Sequence, residues 1–338
     1  MDALALKSML DNAGRRSELL ADGAGGAIVL LARGARVIGI FPGKDDRNLL
    51  WVHPDAANAA DWNTGGDRTW ISPELEYFVK SADSFEESYS VPGELDPGRY
   101  AMEMQDEDRR ADFSQSVSLR AYRSETDSRL TIGKTIALEP DPVRLLSASL
   151  GHYRYIGYDT TVRICDNDPE RSAPAASWSI MQVPAGGAVW IPTYGQAEIF
   201  GMFGPIDASD AVANPGLVQF RIDASRRFKG SIKAHDVTGR IAYYREEGES
   251  AHLLVRSFYP VPSRDYRDAP RHSPDDRGHC VQVYSDDGTL GSFGELEYHT
   301  PVIDKERGER SLTDRSQVWA YSGRADTIAA IRRLLIGH

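Results

Sequence analysis

Short runs of strand-like sequence occupy most of the chain between its two ends. In each run apolar residues alternate with polar residues or follow one another, and Gly, Pro, Asn or Asp bounds the run, which is typical of strands joined by turns. A parallel α/β sheet would need helices between its strands, and no amphipathic helical pattern separates these runs. The pattern predicts an all-β fold, a large sandwich or barrel, with strands at residues 26–32, 35–41, 48–53, 116–123, 130–138, 155–165, 176–183, 188–193, 218–222, 240–246, 252–258 and 280–286.

Helical periodicity is confined to the two ends of the chain. One predicted helix covers about residues 2–13 and the other about residues 325–337. Each has apolar residues three or four positions apart and a glycine at its end. No repeat of fixed period and no Pro-rich or Ser-rich linker divides the sequence, so we expect a single domain over residues 1–338. The apolar side chains of the two helices are Leu4, Leu6, Met9 and Leu10 in the first, and Ile328, Ile331, Leu334 and Leu335 in the second.

The negative net charge of the chain makes some classes of binding partner improbable. Its 338 residues include 39 Lys and Arg against 50 Asp and Glu, a formal net charge of −11. Such a protein repels nucleic acid phosphates and anionic membranes, so we expect neither as a partner. No apolar window approaches a membrane span and the first residues lack a signal-peptide pattern, so we expect a cytoplasmic location. Cys165 and Cys280 are isolated, so a structural zinc site is not expected and a disulfide is not required.

Residues 63–78, NTGGDRTWISPELEYF, combine two glycines with an arginine and a tryptophan. The glycines allow a tight turn or a close approach of two backbones. Arg68 has a planar fork of donors for hydroxyl or carboxylate oxygens, and Trp70 has an aromatic face that can cover the C–H side of a sugar ring. The alternative is structural, with Arg68 in a salt bridge and Trp70 in the core.

Residues 228–239, FKGSIKAHDVTG, alternate as a strand. The alternation puts Lys229, Ser231, Lys233 and His235 on one polar face. A histidine exchanges protons near neutral pH, so His235 is a candidate acid, and Lys233 could hold a ligand oxygen or depress the histidine pKa. The alternative is a solvated outer face that ends in a turn.

Residues 293–302, FGELEYHTPV, place two carboxylates and a histidine at alternate positions. Glu295, Glu297 and His299 then share one face, and Leu296 on the other face is the natural core residue. Carboxylates one pleat apart, with backbones about 7 Å apart, can raise one pKa towards neutrality on a partly dry face, which suits a general acid or base. The alternative is an exposed edge strand that its charges protect from pairing.

Two further features bear on a binding site. Residues 73–78, PELEYF, give Glu74 and Glu76 the same alternation, and four glutamates on one face could bind sugar hydroxyls or, if any metal is bound, calcium. No cofactor is expected otherwise. Residues 80–113 and 260–279 are predicted as long loops, either bordering a pocket or forming mobile insertions.

Several segments, in the same order, resemble galactose-mutarotase-like (aldose 1-epimerase-like) proteins, and best match the uncharacterised members of that superfamily. The sequence GARVIGIFPGKDDRNLLWVHP followed by GGDRTWISPE is similar to their opening GA+I, N-L and GG-R-W-PE segments. ASWSIMQVPAGGAVWIP resembles their APW-I-Q-PGG segment, and RRFKGSIKAHDVTGRIAYYRE their KIG-GW-AY segment. FGELEYHTPVIDKERGERSLTDRSQVWAY resembles their closing ELE-GP-L-PG-E-W segment. The resemblance covers residues 26–321.

The resemblance implies a large antiparallel β-supersandwich whose concave side binds carbohydrate. In the characterised mutarotases a glutamate acts as base on the anomeric hydroxyl, a histidine acts as acid on the ring oxygen, and an arginine helps to hold the sugar. Arg68 matches that arginine, and Glu295 or Glu297 matches the base. The histidine motif NHTYFNL has no counterpart, so His235, His299 and His53 compete for the acid role.

Three functions are compatible with these residues. The first is aldose 1-epimerase-like chemistry on a monosaccharide or oligosaccharide, with Glu295, Glu297, His235 or His299 as the catalytic groups. The second is a carbohydrate-binding module without catalysis, and the third is a glycoside hydrolase or polysaccharide lyase that uses the same face. The residues expected to bind the sugar are Arg68, Trp70, Glu74, Lys233 and His53.

Overall fold

The computed structural model describes residues 1–58, 62–81, 84–106 and 109–338. Its helices are α1 Ala3–Asn12, α2 Glu74–Tyr77, α3 Phe85–Ser88, α4 Ser147–Leu150 and α5 Ala325–Ile336, with short 3-10 turns at Arg144–Leu146 and Lys305–Arg307. Its strands are β1 Ser17–Ala21, β2 Ala27–Leu31, β3 Arg36–Phe41, β4 Asp67–Ser72, β5 Ala101–Gln105, β6 Arg110–Ala121, β7 Thr126–Leu138, β8 Tyr153–Asp166, β9 Ala176–Pro184, β10 Gly187–Pro192, β11 Phe200–Gly201, β12 Ala211–Asn214, β13 Leu217–Ile222, β14 Phe228–Lys233, β15 Arg240–Glu247, β16 Ser250–Ser257, β17 His279–Ser285, β18 Phe293–His299 and β19 Ser311–Arg324.

The strands of the described residues form two large antiparallel sheets. The first has the order β1-β2-β3-β4-β9-β18-β17-β14-β11, and the second has the order β12-β13-β10-β15-β16-β19-β8-β7-β6-β5. Strands far apart in the chain are neighbours, since β18 lies between β9 and β17. The prediction of an all-β antiparallel sandwich is confirmed.

The main core lies between the two sheets. Leu296 of β18 and Met181 of β9 pack in one apolar cluster with Val318 and Ala320 of β19. All four side chains are buried, and removing an aliphatic side chain of this size from water stabilises a fold by about 1.5–3 kcal/mol. Leu296 faces this core as its alternation predicts, so the polar residues on either side of it point to the opposite face of the first sheet.

The two terminal helices form as predicted, because both have a cap and an apolar side. In α1 the Asp2 side chain accepts from the backbone N–H of Ala5, and Leu6 and Leu10 pack against β2 and β3. In α5 Gly337 takes the left-handed conformation and donates its N–H to Arg333, while the apolar side packs on β16 and β19. Among the described residues, no helix is long and apolar enough to cross a membrane.

Three local predictions are wrong. Residues 48–53 are not a strand, because the Asn48 side chain bonds the backbone of Ile38 and Ile40 in place of a neighbouring strand. Residues 74–77 form the helical turn α2 rather than alternating as a strand, so Glu74 and Glu76 do not share a face with one another. The predicted loop 80–113 contains α3, β5 and the start of β6, while its residues 82–83 and 107–108 lie outside the described part of the chain.

The Gly65-Gly66 pair allows two backbones to come close beside β4. Both glycines have positive φ, +101° and +82°. A Cβ on Gly66 would lie 2.4 Å from the Val37 carbonyl oxygen, and one on Gly65 would lie 2.5 Å from the Trp51 carbonyl oxygen. These backbone atoms belong to segments on which β4 packs, so the position of Arg68, two residues later, depends on this contact.

Gly66→Ala is expected to lower the free energy of unfolding by about 1–3 kcal/mol, because the new Cβ meets backbone and the residue stays in the left-handed region. Chemical denaturation measures the loss. Gly93→Ala is the control, since a Cβ there has no atom within 4 Å. Equal effects of the two substitutions would show that the close approach has no energetic importance.

Candidate functional site

A cavity of about 230 Å³ opens on the face of the first sheet that points away from the main core. Strands β4, β9, β14, β17 and β18 form its floor, and the segments around α3 and residues 260–279 form part of its wall. Its aromatic lining is Trp62, Trp70, Phe85, Tyr89, Trp178, Phe203, Tyr284 and Phe293. Its charged lining is Arg68, Glu74, Arg227, Lys229, Arg271, Asp286 and Glu295.

The register of the sheet brings these residues together. Glu295 of β18 lies opposite Gln182 of β9 on one side and Tyr284 of β17 on the other. Tyr284 in turn lies opposite Lys229 of β14. Directly paired residues of antiparallel strands point to the same face, so side chains from four distant segments of sequence meet on one surface.

Arg68 and Glu295 form a buried ion pair at the cavity wall. An Arg68 Nη2 hydrogen bonds to Glu295 Oε1 at 2.8 Å, and Gln182 Nε2 donates to the same oxygen at 2.9 Å. The guanidinium lies 4.3 Å from the Trp70 ring centroid and 5.7 Å from that of Trp62. Arg68 is therefore in a salt bridge and Trp70 is in the core, as the structural alternative predicts, and both residues also line the cavity.

Lys229 is surrounded by carboxylates. Its Nζ lies 3.1 Å from Glu297 Oε2 and 3.6 Å from Glu74 Oε2, and 4.5 Å from the Trp178 ring centroid. Burial lowers the pKa of Lys229, but the attraction of Glu297 and Glu74 outweighs burial and raises it. Lys229 is therefore a permanent cation in this cluster.

Glu297 lies behind the cavity rather than on its surface. Its side chain is completely buried, and Trp178 Nε1 donates to Oε2 at 2.7 Å. The other oxygen, Oε1, has no hydrogen-bond partner among the described residues. Burial raises the pKa of Glu297 to about 8, with Lys229 opposing the rise and Glu295 and Glu74 adding to it. This carboxyl acts on the cavity through Lys229.

Glu74 lines the cavity, as Glu295 does. It begins α2, and its backbone N–H donates to Asp268 Oδ1 at 2.6 Å. Burial raises the pKa of Glu74; Lys229 opposes the rise, and the charge of Asp268 adds to it. Glu295 is thus held by a guanidinium, whereas Glu74 lies in an environment that favours its protonated form.

His299 shares the face of Glu295 and Glu297 but does not line the cavity. Its Nδ1 lies 3.0 Å from Ser72 Oγ, its Nε2 lies 3.7 Å from Asp268 Oδ2, and its ring stacks on Trp178. Burial lowers the pKa of His299 to about 4, although Asp268 opposes this. The imidazole is therefore neutral near pH 7 and packs against the Trp178 ring.

The other predicted site residues lie outside the cavity. β14 ends at Lys233, so His235 sits in an exposed turn beside Asp236 rather than on the strand face. Lys233 forms an ion pair with Asp276 at 2.7 Å. His53 accepts from the backbone N–H of Asp55. Of the residues that the structure describes, no histidine lines the cavity.

Several cavity residues were not predicted from the sequence. Tyr89 and Arg271 belong to the two segments predicted as long loops, and the interpretation that those loops border a pocket fits them. Asp286 follows β17; its Oδ1 accepts from the Tyr284 hydroxyl and its Oδ2 from the N–H groups of residues 288, 290 and 291. Among the described residues, no group of three His, Cys, Asp or Glu side chains is arranged to hold a metal ion.

The stability of the protein is expected to fall between pH 6.5 and 8. A carboxyl whose folded pKa is raised, as for Glu297, binds a proton in the native state that the unfolded chain has released, so unfolding becomes easier as the pH rises towards 8. His299 has a lowered pKa and acts in the opposite direction, but only below its ordinary value of 6.5.

Denaturation at a series of pH values measures this effect. Each proton of difference changes the unfolding free energy by about 1.4 kcal/mol per pH unit. Glu297→Gln removes the titrating group and keeps the shape, so its slope above pH 6.5 is expected to be flatter than that of the wild type. Identical slopes would contradict the buried, proton-binding state of Glu297.

The sequence matches the family of unknown function DUF6786 over residues 50–338. The chain belongs to this family. No curated protein matches the sequence.

This DUF6786 member is also similar, at low sequence identity, to several solved structures. A GalM/aldose epimerase homologue from C. elegans is 11% identical, with 91% of this chain and 99% of that chain covered and a TM-score of 0.44. Galactose 1-epimerase from Lactobacillus acidophilus is 8% identical, with 91% and 98% covered and a TM-score of 0.45. A galactose mutarotase-like protein from Clostridium acetobutylicum is 9% identical, with 90% and 98% covered and a TM-score of 0.45.

Proposed function

We propose that this protein binds the ring of a sugar in the cavity and carries out aldose 1-epimerase-like acid/base chemistry on it. The observation that carries the proposal is the contrast between the two glutamates that line the cavity, Glu74 and Glu295. Glu295 is paired with Arg68, whereas the surroundings of Glu74 raise its pKa. Two carboxyls in opposed environments are the arrangement by which one site supplies both a base and an acid.

The lining of the cavity supports sugar binding. Half-buried aromatic side chains such as Trp62 and Tyr89 offer apolar surface for the C–H side of a pyranose ring. Carboxylates and cations between them offer acceptors and donors for its hydroxyl groups.

The proposed reaction interconverts the two anomers. Glu295 takes the proton of the anomeric hydroxyl while Glu74 gives its proton to the ring oxygen, and the bond between that oxygen and the anomeric carbon breaks. The open-chain aldehyde then turns about its C1–C2 bond. Ring closure on the other face of the carbonyl returns the proton from Glu295 to the substrate, and Glu74 recovers its own. In this assignment Glu74 takes the role that the resemblance gives to a histidine.

A binding module without catalysis is the second candidate. One observation favours it: the Glu295 oxygen that Arg68 contacts also accepts from Gln182, so two donors already compete with a substrate proton for this carboxylate. Such a protein would bind sugars in the same cavity and leave their anomeric equilibrium untouched.

Exchange NMR separates the candidates. The rate of interconversion of the α and β anomers is measured for a panel of aldoses and uronic acids with and without the protein, and binding is measured in parallel by calorimetry. Faster exchange for at least one sugar supports the epimerase. Binding without faster exchange supports the module, and neither binding nor exchange with any sugar refutes the proposed site.

A further inference from the structure

A second cavity adjoins the sugar cavity. Its volume is about 260 Å³, and the two cavities share Phe85 and Arg271. The turn α2 contributes to both, because Glu74 lines the first cavity and the next residue, Leu75, lines the second. A ligand in the sugar cavity therefore has a neighbouring space of similar size one wall away.

The two cavities are separated by the Arg271 guanidinium where it packs against aromatic rings. The Arg271 guanidinium carbon lies 3.1 Å from the Phe85 ring centroid and 4.0 Å from that of Phe203. A cation over an aromatic ring is a modest attraction at a partly exposed site, and both side chains have several rotamers. Phe85 and Arg271 belong to both linings, so side chains rather than strands separate the two spaces.

The charged side chains in the described lining of the second cavity are all cations. The charged residues among its described lining are Lys80, Arg123 and Arg271, whereas the sugar cavity mixes cations with Glu74, Asp286 and Glu295. Arg123 donates to the Pro274 carbonyl and to Asp275, which fixes its guanidinium at the rim. A local excess of cations in a protein of net charge −11 selects for an anionic ligand group.

The remaining lining is apolar and aromatic. Leu75, Val79 and Tyr122 supply surface of the kind that packs on the C–H side of a sugar. Donors at the rim and apolar surface inside match a ring that bears a carboxylate or a sulfate, since the guanidinium fork binds either group with two parallel hydrogen bonds.

We propose that the natural ligand is an acidic saccharide of at least two units, with one unit in the sugar cavity and the next, anionic unit in the second cavity. This inference rests on the proposed function, because it takes the first cavity as a sugar site. Beyond the proposed function, it specifies that the ligand has at least two sugar units and that one of them is anionic.

Calorimetric titration of matched saccharides tests the proposal. Each of galacturonate, glucuronate and mannuronate is compared with disaccharides that end in it, with a sulfated disaccharide and with the neutral disaccharides lactose, maltose and cellobiose. An acidic disaccharide is expected to bind at least about tenfold more tightly than its monosaccharide, and more tightly than the neutral ones. Carboxylated and sulfated probes distinguish the two anionic groups.

Two variants locate the effect. Arg123→Gln and Lys80→Gln are each expected to reduce the ratio of disaccharide to monosaccharide affinity about fivefold to tenfold, because each removes one charge-assisted contact. Arg120→Gln is the matched control, since Arg120 is on the preceding strand β6, pairs with Asp127 and lies outside both cavities. All three positions are at the surface, and thermal unfolding verifies that the variants fold.

Three results would overturn the inference. One is that no acidic disaccharide binds more tightly than its monosaccharide, and another is that neutral disaccharides bind as well as acidic ones; in both cases the proposed function stands. The third is that Arg120→Gln reduces the ratio as much as Arg123→Gln does. Failure of every saccharide to bind would refute the proposed function itself, so the two failures are distinguishable.

Discussion

Glu74→Gln is expected to slow protein-catalysed anomeric exchange by about 10²–10⁴-fold, the usual contribution of a positioned general acid. The amide keeps the size of the side chain and its contact distance to Lys229, but it has no proton of suitable acidity to give to the ring oxygen. Exchange NMR at saturating sugar measures the loss. Because the amide still forms hydrogen bonds, the dissociation constant of the sugar is expected to change much less than the rate.

Glu76→Gln is the matched control for this prediction. Glu76 lies on the same helical turn and is also buried, but its carboxylate accepts from the backbone N–H of Ser124 and does not line the cavity. Its substitution is expected to leave the exchange rate near that of the wild type. If Glu74→Gln exchanges anomers as fast as the wild type, Glu74 is not the acid, and the assignment of both carboxyls has to be abandoned.

Lys229→Met is expected to lower the free energy of unfolding by about 3–5 kcal/mol near pH 9, where Glu297 is ionised in the wild type, which is typical when one partner of a buried ion pair is removed. The substitution leaves Glu297 completely buried without its cation, and Glu74 loses the same partner. Near pH 6 Glu297 already carries a proton in the wild type and does not need its cation, so the loss of stability is expected to be smaller there. Urea denaturation at the two pH values measures both quantities.

The double variant Lys229→Met/Glu297→Gln separates charge from packing. It removes the buried carboxyl together with its cation, and the glutamine oxygen can still accept from Trp178 Nε1. Most of the stability lost at pH 9 is therefore expected to return. If the double variant is as unstable as Lys229→Met, the loss comes from packing around Trp178 rather than from an uncompensated charge.

Part of this site is visible in the sequence because it depends on neighbours in the chain. The alternation in β18 places Glu295 opposite in direction to Leu296, and a core leucine then fixes which side the carboxylate takes. The two glycines before Arg68 predict a close contact between backbones, and the structure has such a contact at Gly65 and Gly66. Each of these signals involves only a few consecutive residues. Over that range the geometry of the backbone by itself determines which way a side chain points.

The roles of the histidines could not be obtained in this way. His299 has the right parity on its strand, but Trp178 and Asp268 cover it, and those residues come from other parts of the chain. In the sequence His235 alternates with Lys229 and Lys233 and so belongs to their face, but β14 ends at Lys233, two residues earlier. Parity says which face a side chain takes and says nothing about what covers that face.

The sequence by itself determined the all-β class, the two terminal helices and the core side of β18. Of the site residues that it nominated, Arg68, Trp70, Glu74 and Glu295 line the cavity, and Glu297, His235, His299, Lys233 and His53 do not. The tertiary structure alone decided that Glu74 and Glu297 meet Lys229, that Glu295 pairs with Arg68, and that a second cavity adjoins the first. The physical reason is the order of strands in the sheet. Contacts between strands from distant segments set burial and charge around each group, and these in turn set its pKa and its access to a ligand.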